Sequence, residues 1–265
     1  MSTIVKTEGV VLKSMKYRES SKIVTLYTRE FGKMSTIVKG ARRAKNKYGS
    51  SLEPMSYDSV VVYKKEGRDL QTLAQCELIK SFRHLYDDLE RMSAGLTIVE
   101  LVNMIAHEEE GNVPLFSLLV ESLELLNAAQ KNPSNLLYRF EIRLAAILGF
   151  RPTFDACISC QAPVESSQEF REDIPFHLSK GGPLCGRCMS RVPGSGNTFT
   201  LSRSILQVLN CIARNPMHEG VLEIPIDQQS RVQIEHFLWM YLCCHVSGMR
   251  SLKSSQVFTQ ILRVA

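Results

Sequence analysis

Four cysteines stand in two pairs, Cys157-Ile-Ser-Cys160 and Cys185-Gly-Arg-Cys188, with 24 residues between them. Each Cys-x-x-Cys turn presents two sulfurs to one point, and two such turns supply a tetrahedral set of thiolates for zinc. Four sulfurs fill the coordination sphere and leave no open position for water or substrate, so the expected Zn2+ is a single structural ion. The competing reading is free or disulfide-bonded cysteine, and His177 offers an alternative ligand. Cys76, Cys211, Cys243 and Cys244 lack this spacing. Cys243 and Cys244, near the end of an apolar helical pattern, are expected in the core.

A second chemistry sits at the other end of the chain. Lys39-Gly-Ala-Arg-Arg-Ala-Lys-Asn-Lys47 carries five cations in nine residues. Residues 1–50 hold twelve Lys/Arg and three Glu, a balance of +9. The whole chain is +5, so the remaining 215 residues sum to about −4. Charge this localised points to an anionic partner, nucleic acid ahead of membrane. Each phosphate neutralised by Lys or Arg releases counterions, which makes such binding strongly salt-dependent. Lys39, Arg42, Arg43, Lys45 and Lys47 are the candidate phosphate ligands, with Lys13 and Lys22 beside them. Tyr17, Tyr27, Phe31 and Tyr48 are interleaved with these cations, and a minority of them would face bound bases. A plain solvated face is the alternative.

These residues need elements to hold them. Ile4–Lys13, Lys22–Thr28, Met34–Lys39, Tyr57–Tyr63 and Leu70–Leu78 read as five short strands, with the basic loop following the third. Five strands at this spacing predict a small closed barrel over residues 1–80. From Ser81 the period changes. Leu85, Leu89, Met92 and Leu96 open a helical stripe, Pro114 can start a second helix, and Leu136–Leu148 forms a third. Residues 151–198 interrupt the helices with Pro, Gly and the paired cysteines. Helices resume at Leu201–Ile212 and Ser230–Val246, and a last amphipathic piece includes Leu252, Val257, Ile261 and Leu262. The expected class is α+β, with a barrel at 1–80 and a helical domain at 81–265 carrying a zinc insert at about 151–198.

Several functions find no support. There is no Gly-x-x-x-x-Gly-Lys-Ser/Thr phosphate loop, no Gly-x-Ser-x-Gly elbow and no His-Glu-x-x-His. The acidic clusters Asp87-Asp88 and Glu108–Glu110 fit ordinary charged helix faces better than metal sites. No catalytic constellation emerges, so the expectation is a protein that is not an enzyme. Met1-Ser-Thr-Ile-Val-Lys6 lacks a secretory pattern, and no apolar run approaches the ~20 residues that span a bilayer. The cytoplasm is the expected location.

Glu8-Gly-Val-Val-Leu-Lys13, Tyr17-Arg-Glu-Ser-Ser-Lys22, Val24-Thr-Leu-Tyr27, Phe31-Gly-Lys33, Lys39-Gly-Ala-Arg-Arg43 and Leu52-Glu-Pro54 form a series of short motifs along the barrel region. On these the chain resembles the RecO family of bacterial recombination-mediator proteins, over essentially its whole length. The resemblance extends through Arg139-Phe-Glu141, Leu148-Gly-Phe150 and Pro152 to the two Cys-x-x-Cys pairs, which some family members lack. It implies an OB-fold barrel, binding of single- and double-stranded DNA, and ATP-independent strand annealing. It also implies cooperation with RecR in loading RecA onto strands coated by the single-strand-binding protein SSB, in DNA repair and recombination. By the same resemblance Arg139 and Arg143, one helical turn apart, are candidates to meet the acidic SSB tail. A surface ion pair with Glu141 or another acid is the alternative there. Two other classes stay open on the residues alone: a protein-interaction scaffold, and a zinc-ribbon RNA-binding or transcription factor.

Overall fold

The computed structural model describes residues 2–43, 48–108, 110–191, 197–215 and 218–249. Lys45, Lys47 and the expected C-terminal amphipathic piece lie outside them. The chain divides into two compact units, which among described residues comprise 2–129 and 130–249.

The first unit begins with five strands, β1 Ser2–Tyr17, β2 Ser21–Thr28, β3 Gly32–Val38, β4 Tyr57–Lys65 and β5 Leu70–Lys80. They close into a barrel in the order β1-β2-β3-β5-β4, with β1 pairing β4 and β3 running parallel to β5. This is the strand order of an OB-fold. Strict alternation makes the barrel core: β3 reads buried at Gly32, Met34, Thr36 and Val38 and half-buried between. Val11, Val24, Leu26, Met34, Val38, Val60, Val62 and Leu73 fill the interior. The long β1 serves two partners, β4 along its first half and β2 along its second. A register shift between Val11 and Lys13 marks the bend.

A 3-10 turn at Arg83–Tyr86 leads to α1 Leu89–Ile105 and α2 Val113–Ala128. Asp88 caps α1, its carboxylate accepting from the Arg91 amide at 2.8 Å, and Asn112 caps α2 through the Leu115 amide at 3.0 Å. Phe116 of α2 covers Tyr27 of the barrel, their ring centroids 6.3 Å apart. Gly95 lets α1 pass close to Met55, since a β-carbon there would meet the Met55 sulfur at 2.6 Å and push that side chain aside.

The second unit contains α3 Ser134–Ile147, α4 Gly186–Met189, α5 Arg203–Arg214, α6 His218–Leu222 and α7 Gln228–His245. It also holds a small sheet of β6 Asp173–His177, β7 Gly182–Pro183 and β8 Thr198–Ser202, in the order β7-β6-β8. Asn135, fully buried, ties α3 to the α6 region by donating to the carbonyls of Val221 and Ile224, both at 2.9 Å. Phe176 of β6 packs edge-on against Phe237 of α7 at 4.8 Å, and Phe154 and Tyr241 complete this aromatic core. The expected helix from Leu201 therefore starts as strand, and the cysteine insert takes its third strand from just beyond its expected boundary. Pairing of Phe199 and Leu201 with Phe176 and Ile174 draws those residues out of the helix.

Candidate nucleic-acid interface and metal centre

The β1–β2 turn, Arg18–Ser20, and the exit of β3 lie at one end of the barrel, because Lys22 pairs with Val38 across β2 and β3. The loop after β3 is pinned there. The Arg42 amide donates to the Ser20 carbonyl at 3.0 Å, and the Arg42 guanidinium donates to the Arg18 carbonyl at 2.8 Å. Gly40 turns the chain at φ +73°, and the Arg43 amide closes the turn onto its carbonyl. Ala41 and Tyr48 are both buried in the barrel core. Arg18, Lys39, Arg42 and Arg43 are all exposed at this end. A guanidinium has five N–H donors, so the bond that anchors Arg42 leaves others for phosphate.

The other predicted ligands fall differently. Lys13 is exposed on the outer face of β1. Lys22 has inward parity at the barrel mouth, and its ammonium meets Glu53 at 2.7 Å with the side chain only 19% accessible. Of the aromatics, Tyr27 and Tyr48 are core, while Tyr17 and Phe31 stay half-exposed. Sequence reasoning passed over Lys64 and Arg68 at the β4–β5 hairpin. Lys64 stands 5.4 Å from the Phe31 ring centre, and Arg68 is exposed. Their signal was diluted by Glu66 and Asp69 in the same turn.

Across the second unit, the four predicted cysteine sulfurs gather within 4.8 Å of one another. None is in a disulfide. Gln161, at φ +61°, makes the first knuckle's turn, with the Gln161 amide donating to the Cys157 carbonyl at 2.9 Å. The second knuckle opens α4, where the Cys188 amide bonds the Cys185 carbonyl at 3.0 Å. A β-carbon on Gly182 would collide with Ile158 and Thr153, so that glycine lets the two knuckles close. The Cys185 amide points at the Cys157 sulfur, 3.5 Å away. Burial pushes the Cys185 thiol up to about 12. Exposed Cys160 is drawn down to about 7, chiefly by a hydrogen bond from the Ala162 amide.

The donor set fits a tetrahedral metal. Zinc–sulfur bonds of about 2.3 Å imply sulfurs about 3.8 Å apart, and Cys160 and Cys185 stand at 3.6 Å. Glu169 pairs with Arg187 at 3.3 Å beside the second knuckle, an ion pair that braces it from outside the sulfur cluster. His177 is buried but stands outside the cluster, which among described residues comprises the four cysteines alone. Cys243 and Cys244 are half-buried and exposed, not core, because the end of α7 turns them outward. Arg139 is half-buried and Arg143 exposed on α3, and each takes part in an interaction within the protein.

Comparison with known proteins decides the family. The model "Recombination protein O N terminal" matches residues 1–82, and "Recombination protein O C terminal" matches residues 86–256. The chain belongs to the RecO family. The DNA repair protein RecO of Chlorobaculum parvum is 32% identical over 269 residues, covering 98% of this chain and 99% of that one. RecO of Syntrophus aciditrophicus is 30% identical over 259 residues, 98% and 96% of the two chains. RecO of Salinibacter ruber is 44% identical over 153 residues, 58% of this chain and 59% of the relative. RecO-family membership identifies the chain as a DNA repair protein of a generally non-catalytic kind, and the barrel with its cysteine-bearing helical partner is this chain's version of that architecture. Among the described residues, no helix is long and apolar enough to cross a membrane.

Proposed function

We propose that this chain is a non-enzymatic recombination mediator that binds single- and double-stranded DNA through its barrel and promotes annealing of complementary strands. One observation carries the reading: Arg18, Lys39, Arg42 and Arg43 are exposed together at one end of an OB barrel, held there by hydrogen bonds between the β3 exit and the β1–β2 turn. Two strands approaching each other repel through their phosphates, and cations held near both lower that barrier without consuming a nucleotide. Lys13, Lys45 and Lys47 extend the set, and Lys22 serves mainly to close the barrel mouth against Glu53.

The four cysteines hold one structural Zn2+, whose chemistry there is to supply folding energy. RecR, RecA-loading on SSB-coated strands, and Arg139 with Arg143 as the SSB-tail contact come with the family and belong to the same proposal, as does action in the bacterial cytoplasm. So does the division into a nucleic-acid-binding barrel at 1–80 and a helical domain at 81–265. The test is a salt titration of single-stranded DNA binding by a variant neutral at Lys39, Arg42, Arg43, Lys45 and Lys47. A flatter dependence of affinity on salt is expected, and an unchanged slope rejects the loop as the phosphate contact.

A further inference from the structure

Helix α7 places its charges the wrong way round for a surface helix. Arg231 and Glu235 are spent on bonds within the second unit. The Arg231 guanidinium donates to the Ile226 carbonyl and to the Asn132 side chain, both at 3.1 Å. Glu235 accepts from the buried Tyr138 hydroxyl of α3 at 3.0 Å. The outward face carries no carboxylate, ammonium or guanidinium. Gln229, Val232, Gln233, His236, Met240 and Cys243 recur at spacings of three and four, which puts them on one side of the helix for about four turns. Val232 is 56% exposed and Met240 39%; Gln229 and His236 are exposed, and Gln233 and Cys243 half-exposed. Surface helices turn charge outward. An uncharged face with protruding apolar side chains has the composition of an interface.

Beside the first half of this face lies an open groove of about 790 Å³, with Phe199 and Thr200 of β8 on one side and Val232, Gln233 and His236 of α7 on the other. It is a fixed shape. The Gln233 side chain donates to the Thr200 carbonyl at 3.1 Å, and the Phe199 ring meets His236 edge-on at 5.2 Å. Met240 stands further along the same helix face, eight residues or ~12 Å beyond Val232. A knob and a groove so placed satisfy each other when two copies meet antiparallel about a two-fold axis. With the axis at His236, residue 240 of one protomer falls opposite residue 232 of its partner, and residue 243 opposite residue 229.

We infer that two copies of this chain associate through the outward faces of α7, antiparallel about His236, each Met240 seated in its partner's groove between β8 and α7. Charge selects the occupant. Nucleic acid, an acidic peptide or a basic peptide finds no counter-charge on this face, whereas a second copy presents the same neutral surface and the knob that fits the groove. Methionine suits that part, being unbranched and able to fill an irregular hollow. One helix face per protomer makes a small interface, at the low end of the range for specific complexes, so a dissociation constant of ~10–100 µM is expected. The inference goes beyond the DNA-binding reading and does not depend on it. On that reading each protomer brings its own barrel, so a dimer can hold two strands at once.

The test is sedimentation equilibrium of the full-length chain, without DNA, from ~1 to ~300 µM. The parent should pass from monomer to dimer over that range. Val232→Glu and Met240→Lys, both at exposed positions, should each weaken the dimer about tenfold or more by burying an unpaired charge. Carried together in one chain they meet across the axis as Glu–Lys pairs, and the double variant should return to within about threefold of the parent. Emission of Trp239, the one tryptophan, half-buried next to Met240, should shift with concentration in the parent and the double variant but not in the single ones. A parent that stays monomeric throughout overturns the inference. Single variants that dimerise like the parent do so too, as does a double variant no stronger than the single ones. Dimers that form only after deletion of residues 250–265 would assign the face to that segment instead. The parent's Trp239 emission needs no variant and decides the matter should one fail to fold.

Discussion

The barrel end and the cysteine module are both loop structures hung on small sheets, yet they spend their residues oppositely. Residues 1–50 carry twelve cations against three acids, while residues 151–198 carry five of each. Four thiolates on one divalent ion would give the module a further charge of −2, a poor surface for a polyanion. The barrel has an aliphatic core to fold around, and Lys39, Arg42 and Arg43 at its β3 exit are exposed. The module's sheet has only twelve residues in three strands and needs the sulfur cluster as well as its aromatic core. Where apolar burial suffices, surface residues are released for binding; where it does not, chemistry is consumed in folding.

The largest effect should come from taking the metal away. Structural zinc contributes ~10–16 kcal/mol in zinc-finger peptides, comparable with the ~5–15 kcal/mol stability of a whole domain. Purified protein should contain about one zinc per chain. Cys185→Ser or a strong chelator should abolish hydrogen-exchange protection in the sheet and α7 while the barrel keeps its salt-dependent DNA affinity. Loss of DNA binding in step with the metal would erase the division of labour.

Next in size is the cationic end. Each single-strand phosphate contact contributes about 0.7 to the slope of log affinity against log salt. Neutralising Lys39, Arg42, Arg43, Lys45 and Lys47 should lower the slope by ~2–3.5 and the affinity by ~10²-fold near 0.1 M salt. Calorimetric melting should fall only slightly, since Lys39, Arg42 and Arg43 are all exposed, although the bond from Arg42 to the Arg18 carbonyl is lost.

A smaller effect tests the barrel's stability by pH. Asp58 is fully buried, with one oxygen accepting from Ser56 at 2.8 Å and the other without a partner. Burial lifts its carboxyl from 3.8 to about 6. A raised folded pKa means that the folded state holds the proton more tightly, so the stabilising linkage is full below 3.8. It fades as pH rises to about 6, above which the buried carboxylate is a cost. Asp58→Asn should therefore raise barrel stability by ~1–3 kcal/mol at pH 7.5, with the gain gone by pH 4, read from urea melts at the two pH values. The smallest effect belongs to Lys22→Gln. With its ammonium held by Glu53, the change should move DNA affinity less than twofold, whereas Lys39→Gln should move it measurably in the same titration.

Much of this was legible beforehand. Five period-two runs marked the strands, and the paired cysteines marked their own cluster, because both signals are local. β1 was foreseen only as Ile4–Lys13 and extends to Tyr17, since its outward Lys13, Met15 and Tyr17 look like loop when read without β2 beside them. The pairing of Lys22 with Glu53 was hidden because Glu53 is 31 residues away in sequence. The change of period after residue 80 found where strands end, but α1 and α2 group with the barrel by their packing, through contacts such as Phe116 on Tyr27 that no window reveals. The module's three-stranded sheet was missed because two of its strands are short and its third lies past the cysteines.

That third strand fixes an order of events. During synthesis Cys188 emerges ten residues before Thr198, so both knuckles are out while β6 has only the two-residue β7 for a neighbour. Metal capture can then pin the nascent segment before its permanent partner exists, shortening the loop that β8 must close. Removing the knuckles as a cassette would strand β8 with an open edge directly in front of α5, so the insert is woven into the chain that follows it.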